Sequence, residues 1–230
     1  MSDSFSDEPA ALGPIDHANP AARQAFIRSV TRIQSPPLAP ELRLYLAHPG
    51  FSIWRHSEES LEAAGLPPPF WAFAWAGGQA LARYVLDHPD LFHKRNILDF
   101  ASGCGVTGIA AARAGARVTA SELDAYAIDA IALNAGLNGE DIEGRLGDLV
   151  GAPCEWDVIL AGDIFYDDTA GAIGGWLSDC AAQGCQVFIG DPGRARLPRQ
   201  RVEQLAQYEA RRSEGLQDQD IRRTRVWRYR

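Results

Sequence analysis

From Asn96 onward, short apolar runs alternate with longer stretches whose apolar positions recur at helical spacing. The runs predict strands at 96–100, 117–122, 142–146, 157–162 and 186–190. The stretches between and after them predict helices at 106–114, 124–136, 168–183 and 198–206. Repeated strand–helix units of this length call for a parallel sheet with helices on both faces, which collects ligands at the carboxyl ends of its strands. Residues 208–213 and 222–228 read as two further strands joined by a polar turn, an antiparallel finish to the sheet.

The first part of the chain is patterned differently. Residues 1–18 are small and polar without a period, which predicts disorder. Asn19 and Pro20 are an N-cap and a first helical residue, and residues 21–33 carry apolar positions at helical spacing until Ser35-Pro36-Pro37 ends them. A second short helix is predicted from Pro40 to Leu46, stopped by His48-Pro49-Gly50, and a third from Ser57 to Ala64, stopped by Gly65 and the prolines at 67–69. Residues 19–68 are thus expected to form a helical cover, and 69–230 the main domain. Between them, Phe70-Trp71-Ala72-Phe73-Ala74-Trp75-Ala76-Gly77-Gly78 precedes a helix at 79–86. Such a density of aromatics is ordinarily core. Trp71 and Trp75 also stand where an aromatic plane can cover an adenine or a reactive centre.

The strand at 96–100 runs into Ala101-Ser102-Gly103-Cys104-Gly105-Val106-Thr107-Gly108, a glycine-rich bend that opens a helix. Glycines here let the main chain turn sharply and let a ligand approach it closely. The spacing alone also fits an unliganded turn. Glu122, however, ends the next strand nineteen positions after Gly103, where a ribose-binding acid belongs in a nucleotide site. Asp99, Glu122, Asp148 and Asp163 all stand at or just beyond predicted strand ends, so a parallel sheet gathers them at one edge. A dinucleotide brings a diphosphate, which calls for helix N-termini and arginine. S-adenosylmethionine brings a sulfonium and an ammonium, and an acidic rim suits it.

The candidate donor-binding set is therefore Trp75, Asp99, Ala101, Gly103, Gly105, Glu122, Leu123 and Asp148. The backbone of the bend would take the methionine part with Asp99 near its ammonium, Glu122 the ribose hydroxyls, and Asp148 the adenine amino group beside Leu123 or Leu149. Asp163-Ile164-Phe165-Tyr166 follows the strand at 157–162. Methyl transfer is an in-line displacement by an amine, which must be aligned, desolvated and relieved of a proton. Asp163 and Tyr166 are the candidate catalytic residues, with Trp71 and Phe165 along a substrate channel. Helix capping by Asp163 and simple packing by Phe165 and Tyr166 are the alternatives.

Composition narrows the partners. The 230 residues carry a formal net charge of -8, which argues against a nucleic-acid backbone. Residues 194–230 hold eleven arginines against five acids, a surplus of six that leaves about -14 on the rest. That segment reads as a solvated strand face or as a docking surface for an acidic protein. There is no Cys-x-x-Cys pair among the four cysteines and no metal-ligand spacing among the five histidines, so no metal is expected. No apolar run reaches a membrane span and the N-terminus is acidic, so a cytoplasmic protein is expected.

Taken together, Pro69 to Gln79, Leu98 to Thr107, Asp163-Ile164-Phe165-Tyr166-Asp167, Gly190-Asp191-Pro192-Gly193-Arg194 and Val226-Trp227 resemble the seven-β-strand, class I methyltransferases. More narrowly they resemble the electron transfer flavoprotein β-subunit lysine methyltransferases and their bacterial relatives. The resemblance implies a Rossmann-like, mostly parallel seven-stranded sheet, S-adenosylmethionine as methyl donor, and lysines of the flavoprotein β subunit as acceptors. It carries Gly103 and Glu122 over as donor contacts, with Glu122 standing where Asp is expected, and Asp163 and Tyr166 as the acceptor-side motif. Methylation of a small amine or a ribosomal protein, a nicotinamide-dependent oxidoreductase, and a non-catalytic binding module remain competing readings, since fold does not fix substrate.

Overall fold

A computed structural model of the 230-residue chain describes residues 15–48, 66–210 and 222–230. The third predicted helix, 57–64, and most of the predicted disordered N-terminus lie outside the described residues. Asn19 accepts the amide of Ala21 at 2.9 Å, and with Pro20 at its first position the helix α1 runs Pro20–Val30. It gives way to a strand, β1 (Thr31–Gln34), which pairs antiparallel with β2 (Leu44–Ala47). The helix expected over 40–46 is therefore absent. Leu42, Leu44 and Leu46 are buried in alternation with Arg43 and Tyr45, and that period of two belongs to an extended chain.

The main domain begins with a helical turn at Phe70–Ala72 and the helix α2 (Ala76–Asp87). Strand β3 (Asn96–Phe100) follows, then α3 (Val106–Arg113), β4 (Arg117–Glu122), α4 (Ala125–Asn138), β5 (Glu143–Leu146), β6 (Val158–Gly162), α5 (Ala170–Ala182), β7 (Gln186–Asp191), β8 (Val202–Ala210) and β9 (Arg222–Tyr229). The seven main-domain strands form one sheet in the order β5-β4-β3-β6-β7-β9-β8, with the neighbours from β5 to β7 parallel and β9 antiparallel to both β7 and β8. A helix expected over 198–206 is replaced by a turn and the start of β8. Val202 there points into the core and pairs with Tyr229, so partnership with β9 overrides the local pattern.

Leu98, Ile159 and Val187 face α5 on one side of the sheet, while Ile97, Leu160 and Phe188 share a core with α2 and α3 on the other. Strand β3 lies between β4 and β6, so chain order reverses there and a crevice opens at the strands' carboxyl ends. The N-terminal layer is fastened to α4. Arg23 Nε donates to Asp129 Oδ2 at 2.5 Å in a buried ion pair, and Trp71 stacks on Tyr126 with ring centroids 6.3 Å apart. Buried Asn134 accepts the amide of Tyr45 at 2.7 Å and donates to the carbonyl of Cys104 at 2.8 Å, which links β2 to the glycine bend.

Candidate active site

The bend after β3 turns through three residues with positive φ, Ala101 (51°), Gly103 (58°) and Gly105 (83°). Asp99 braces it from inside. Its Oδ2 accepts the Ser102 hydroxyl in a short hydrogen bond and the amide of Gly108 at 2.8 Å, and the residue is 2% exposed. A Cβ on Gly108 would lie 2.9 Å from that carboxylate, so glycine there permits the close approach. Among the described residues a Cβ on Gly103 would meet only the Phe70 carbonyl, at 3.9 Å, which leaves that face of the bend open to a ligand. Burial pushes the Asp99 carboxyl up to about 7, against the pull of its Ser102 and Gly108 hydrogen bonds, and the nearby charge of Glu122 adds to the rise.

Glu122 closes the other side of the bend. One carboxylate oxygen accepts the amide of Gly103 at 2.6 Å and the other that of Leu123 at 3.1 Å. Its carboxyl is also raised, first by burial and then by the charge of Asp124, while the two amides oppose the shift. Beside it, Leu123 is 73% exposed, and Leu146, which pairs with Glu122 across the strands, is 58% exposed. Asp148 is exposed and accepts the amide of Val150 at 2.9 Å, a local turn, whereas Leu149 is buried in the core.

Asp163 adopts a left-handed backbone (φ 59°) at the end of β6 and is buried. One oxygen accepts the amides of Gly77 at 2.5 Å and Gly78 at 3.2 Å; the other pairs with a terminal nitrogen of Arg194 at 3.2 Å. It therefore caps a helix, but α2, far back in the chain, rather than the helix that follows it. Burial raises its carboxyl, and Arg194 and the two amides resist the rise. Tyr166 by contrast is 55% exposed. Its ring lies 5.9 Å from that of Phe70 and 5.9 Å beneath the Arg194 guanidinium. Desolvation and the charges of Asp167 and Glu122 raise its phenol, which puts it within electrostatic reach of the glycine-bend acid. Trp75 adjoins the same group, donating from Nε1 to the Phe70 carbonyl at 2.9 Å.

Gly103, Glu122, Phe70, Trp75, Tyr166 and Arg194 thus come together at the carboxyl edge of the sheet. Trp71 and Phe165 do not line a channel there. Trp71 is 2% exposed among Ile27, Leu66 and Tyr126, and Phe165 is 1% exposed beneath α5. Arg194 joins the site beside Asp163 and Tyr166, and its place after a strand-end Asp-Pro-Gly is the sequence signal for it. Asn134 gave none, because a polar residue within a helix does not reveal which distant backbone groups it meets.

A family model described as lysine methyltransferase matches residues 72–190. The electron transfer flavoprotein beta subunit lysine methyltransferase of Danio rerio is 37% identical over 206 residues, covering 86% of this chain and 79% of that protein. Its counterparts in Xenopus laevis and Homo sapiens are 35% and 34% identical, each over 90% of this chain and 86% and 81% of their own length. Among solved structures, a Thermus thermophilus 16S rRNA N2 G1207 methyltransferase in complex with AdoMet and guanosine superposes with a TM-score of 0.56 at 16% identity, over 87% of this chain and 50% of that one, a likeness of fold. The chain belongs to the lysine methyltransferase family, within the group of the electron transfer flavoprotein beta subunit lysine methyltransferases.

Proposed function

We propose that this chain is an S-adenosylmethionine-dependent protein-lysine N-methyltransferase whose acceptor is the electron transfer flavoprotein β subunit. The observation that carries the donor is the carboxylate of Glu122 against an open glycine bend that buried Asp99 braces from inside. Neither Asp99 nor Glu122 has an arginine or lysine partner among the described residues, so Glu122 makes the field at the bend negative. Such a field favours a cation and disfavours a diphosphate. The acceptor follows from the names of relatives that align along most of the chain.

When bound, the donor supplies an electrophilic methyl group on a sulfonium. The main chain from Ala101 to Gly105 would hold its amino-acid part, and Glu122 its ribose hydroxyls. Asp99 shapes the bend from inside through Ser102 and Gly108. Leu123 and Asp148 border the adenine side, and Trp75 and Phe70 exclude water from the other. Tyr166 receives and orients the lysine amine. Asp163 serves as a positioning residue, since both of its oxygens already hold α2 and Arg194. Trp71 and Phe165 support these groups from the core.

Calorimetry with S-adenosylhomocysteine and NAD tests the donor. The homocysteine product should bind and NAD should not, and Glu122→Ala should weaken the product about tenfold or more through lost charge-assisted hydrogen bonds. Comparable binding of NAD, or unchanged affinity in the variant, would overturn the assignment.

A further inference from the structure

The arginine surplus of residues 194–230 is sorted by the structure into paired and unpaired groups. Arg194, Arg196, Arg223 and Arg228 each face a carboxylate. Arg199 and Arg225 face none among the described residues. Arg225 donates from Nε to Gln207 Oε1 at 3.1 Å, and Arg199 lies 5.8 Å over the Trp227 ring. Yet the two converge. A Cβ on Gly193 would lie 3.6 Å from a terminal nitrogen of Arg225 and 4.0 Å from one of Arg199. Two guanidinium groups set against one side-chain-free residue leave a position beside Gly193 where both attract an anion. The acid nearest in sequence, Asp191, is fully buried and gives one oxygen to the amides of Gly193 and Arg194 at 2.6 and 2.7 Å.

We infer that Arg199 and Arg225 form a clamp over Gly193 for a carboxylate side chain of the protein acceptor. Guanidinium pairs recognise that planar anion with directed hydrogen bonds. The position suits a lysine acceptor, because Arg194, the next residue, reaches Asp163 and covers Tyr166. The inference rests on the lysine-acceptor reading above and deepens it: the modified lysine lies close to an Asp or Glu on the same face of its protein. Glycine at 193 is favoured by its φ of 102°, a backbone conformation that other residues rarely adopt.

The test is the double variant Arg199→Gln/Arg225→Gln, assayed on purified flavoprotein across ionic strength. S-adenosylhomocysteine affinity should stay within twofold and kcat within about twofold, while KM rises about tenfold and its salt dependence flattens. An unchanged KM with wild-type salt dependence would overturn the clamp and leave the acceptor reading intact. Should the wild-type enzyme bind the homocysteine product but leave the flavoprotein unmodified, the acceptor reading fails, and the clamp is decided by phenylglyoxal footprinting with poly-L-glutamate. Protection of Arg199 and Arg225 beyond that of Arg223 and Arg228 upholds it; equal modification of all four refutes it.

Discussion

Asp163 and Tyr166 stand three residues apart and have opposite surroundings. The carboxylate is enclosed by two helix-terminal amides and a guanidinium, and the phenol is open to solvent beside two aromatic rings. Their substitutions should therefore separate. Asp163→Ala removes the partner of a buried ion pair and should cost about 3 kcal/mol in urea unfolding. Tyr166→Phe keeps the ring contacts, so stability should change by about 0.5 kcal/mol or less while kcat falls about tenfold or more. Full turnover in the phenylalanine variant would remove the tyrosine from the mechanism. At Asp99 the proton is held more tightly in the folded chain, at about 7, than at the ordinary value of 3.8. The folded state then binds more protons across that interval, so this residue's stabilisation is complete below about pH 4 and is lost as pH rises through 7. Unfolding free energies of the wild type relative to Asp99→Asn should fall across this window, and a flat difference would contradict it. That Glu122 would meet Gly103 was legible from their spacing. The inward turn of Asp99 and Asp163 was not, because the amides of Gly108, Gly77 and Gly78 that help draw them in carry no sequence signature.

The first turn of α2 is pressed onto the sheet through glycines. A Cβ on Gly77 would collide with the carbonyl of Gly190 and lie 2.5 Å from Asp163 Oδ2, and one on Gly162 would lie 2.8 Å from the Cα of Gly78. Helix and strands β6 and β7 touch main chain to main chain there, and that contact sets the aromatic stretch against the glycine bend. Gly77→Ala should consequently destabilise the fold by about 2 kcal/mol or more and weaken S-adenosylhomocysteine with it. A variant with wild-type melting and affinity would show the contact to be dispensable. The parallel strands were readable because apolar runs ending on acids leave little choice of element. β2 and β8 differ from the helices expected over 40–46 and 198–206 because both short segments are fixed by their strand partners, β1 and β9, which local spacing does not reveal.

Across the whole molecule, Ala39, Leu42, Leu44 and Leu46 of the N-terminal layer share one apolar core with Ile97 and Phe188 of the sheet, and buried polar groups, Arg23 on Asp129 and Asn134 between β2 and the glycine bend, fasten the layer in place. The order β5-β4-β3-β6-β7-β9-β8 was foreseeable as a doubly wound sheet with an antiparallel end, but the hairpin of β1 and β2 in the cover was not. Among the described residues no helix is long and apolar enough to cross a membrane. The most direct measurement is mass spectrometry of purified electron transfer flavoprotein after incubation with the enzyme and methyl-labelled S-adenosylmethionine. Labelled methyl groups should appear on lysine of the β subunit with the wild-type enzyme and be strongly reduced with Glu122→Ala. An unlabelled β subunit, in the presence of enzyme that binds the homocysteine product, would contradict the proposed reaction.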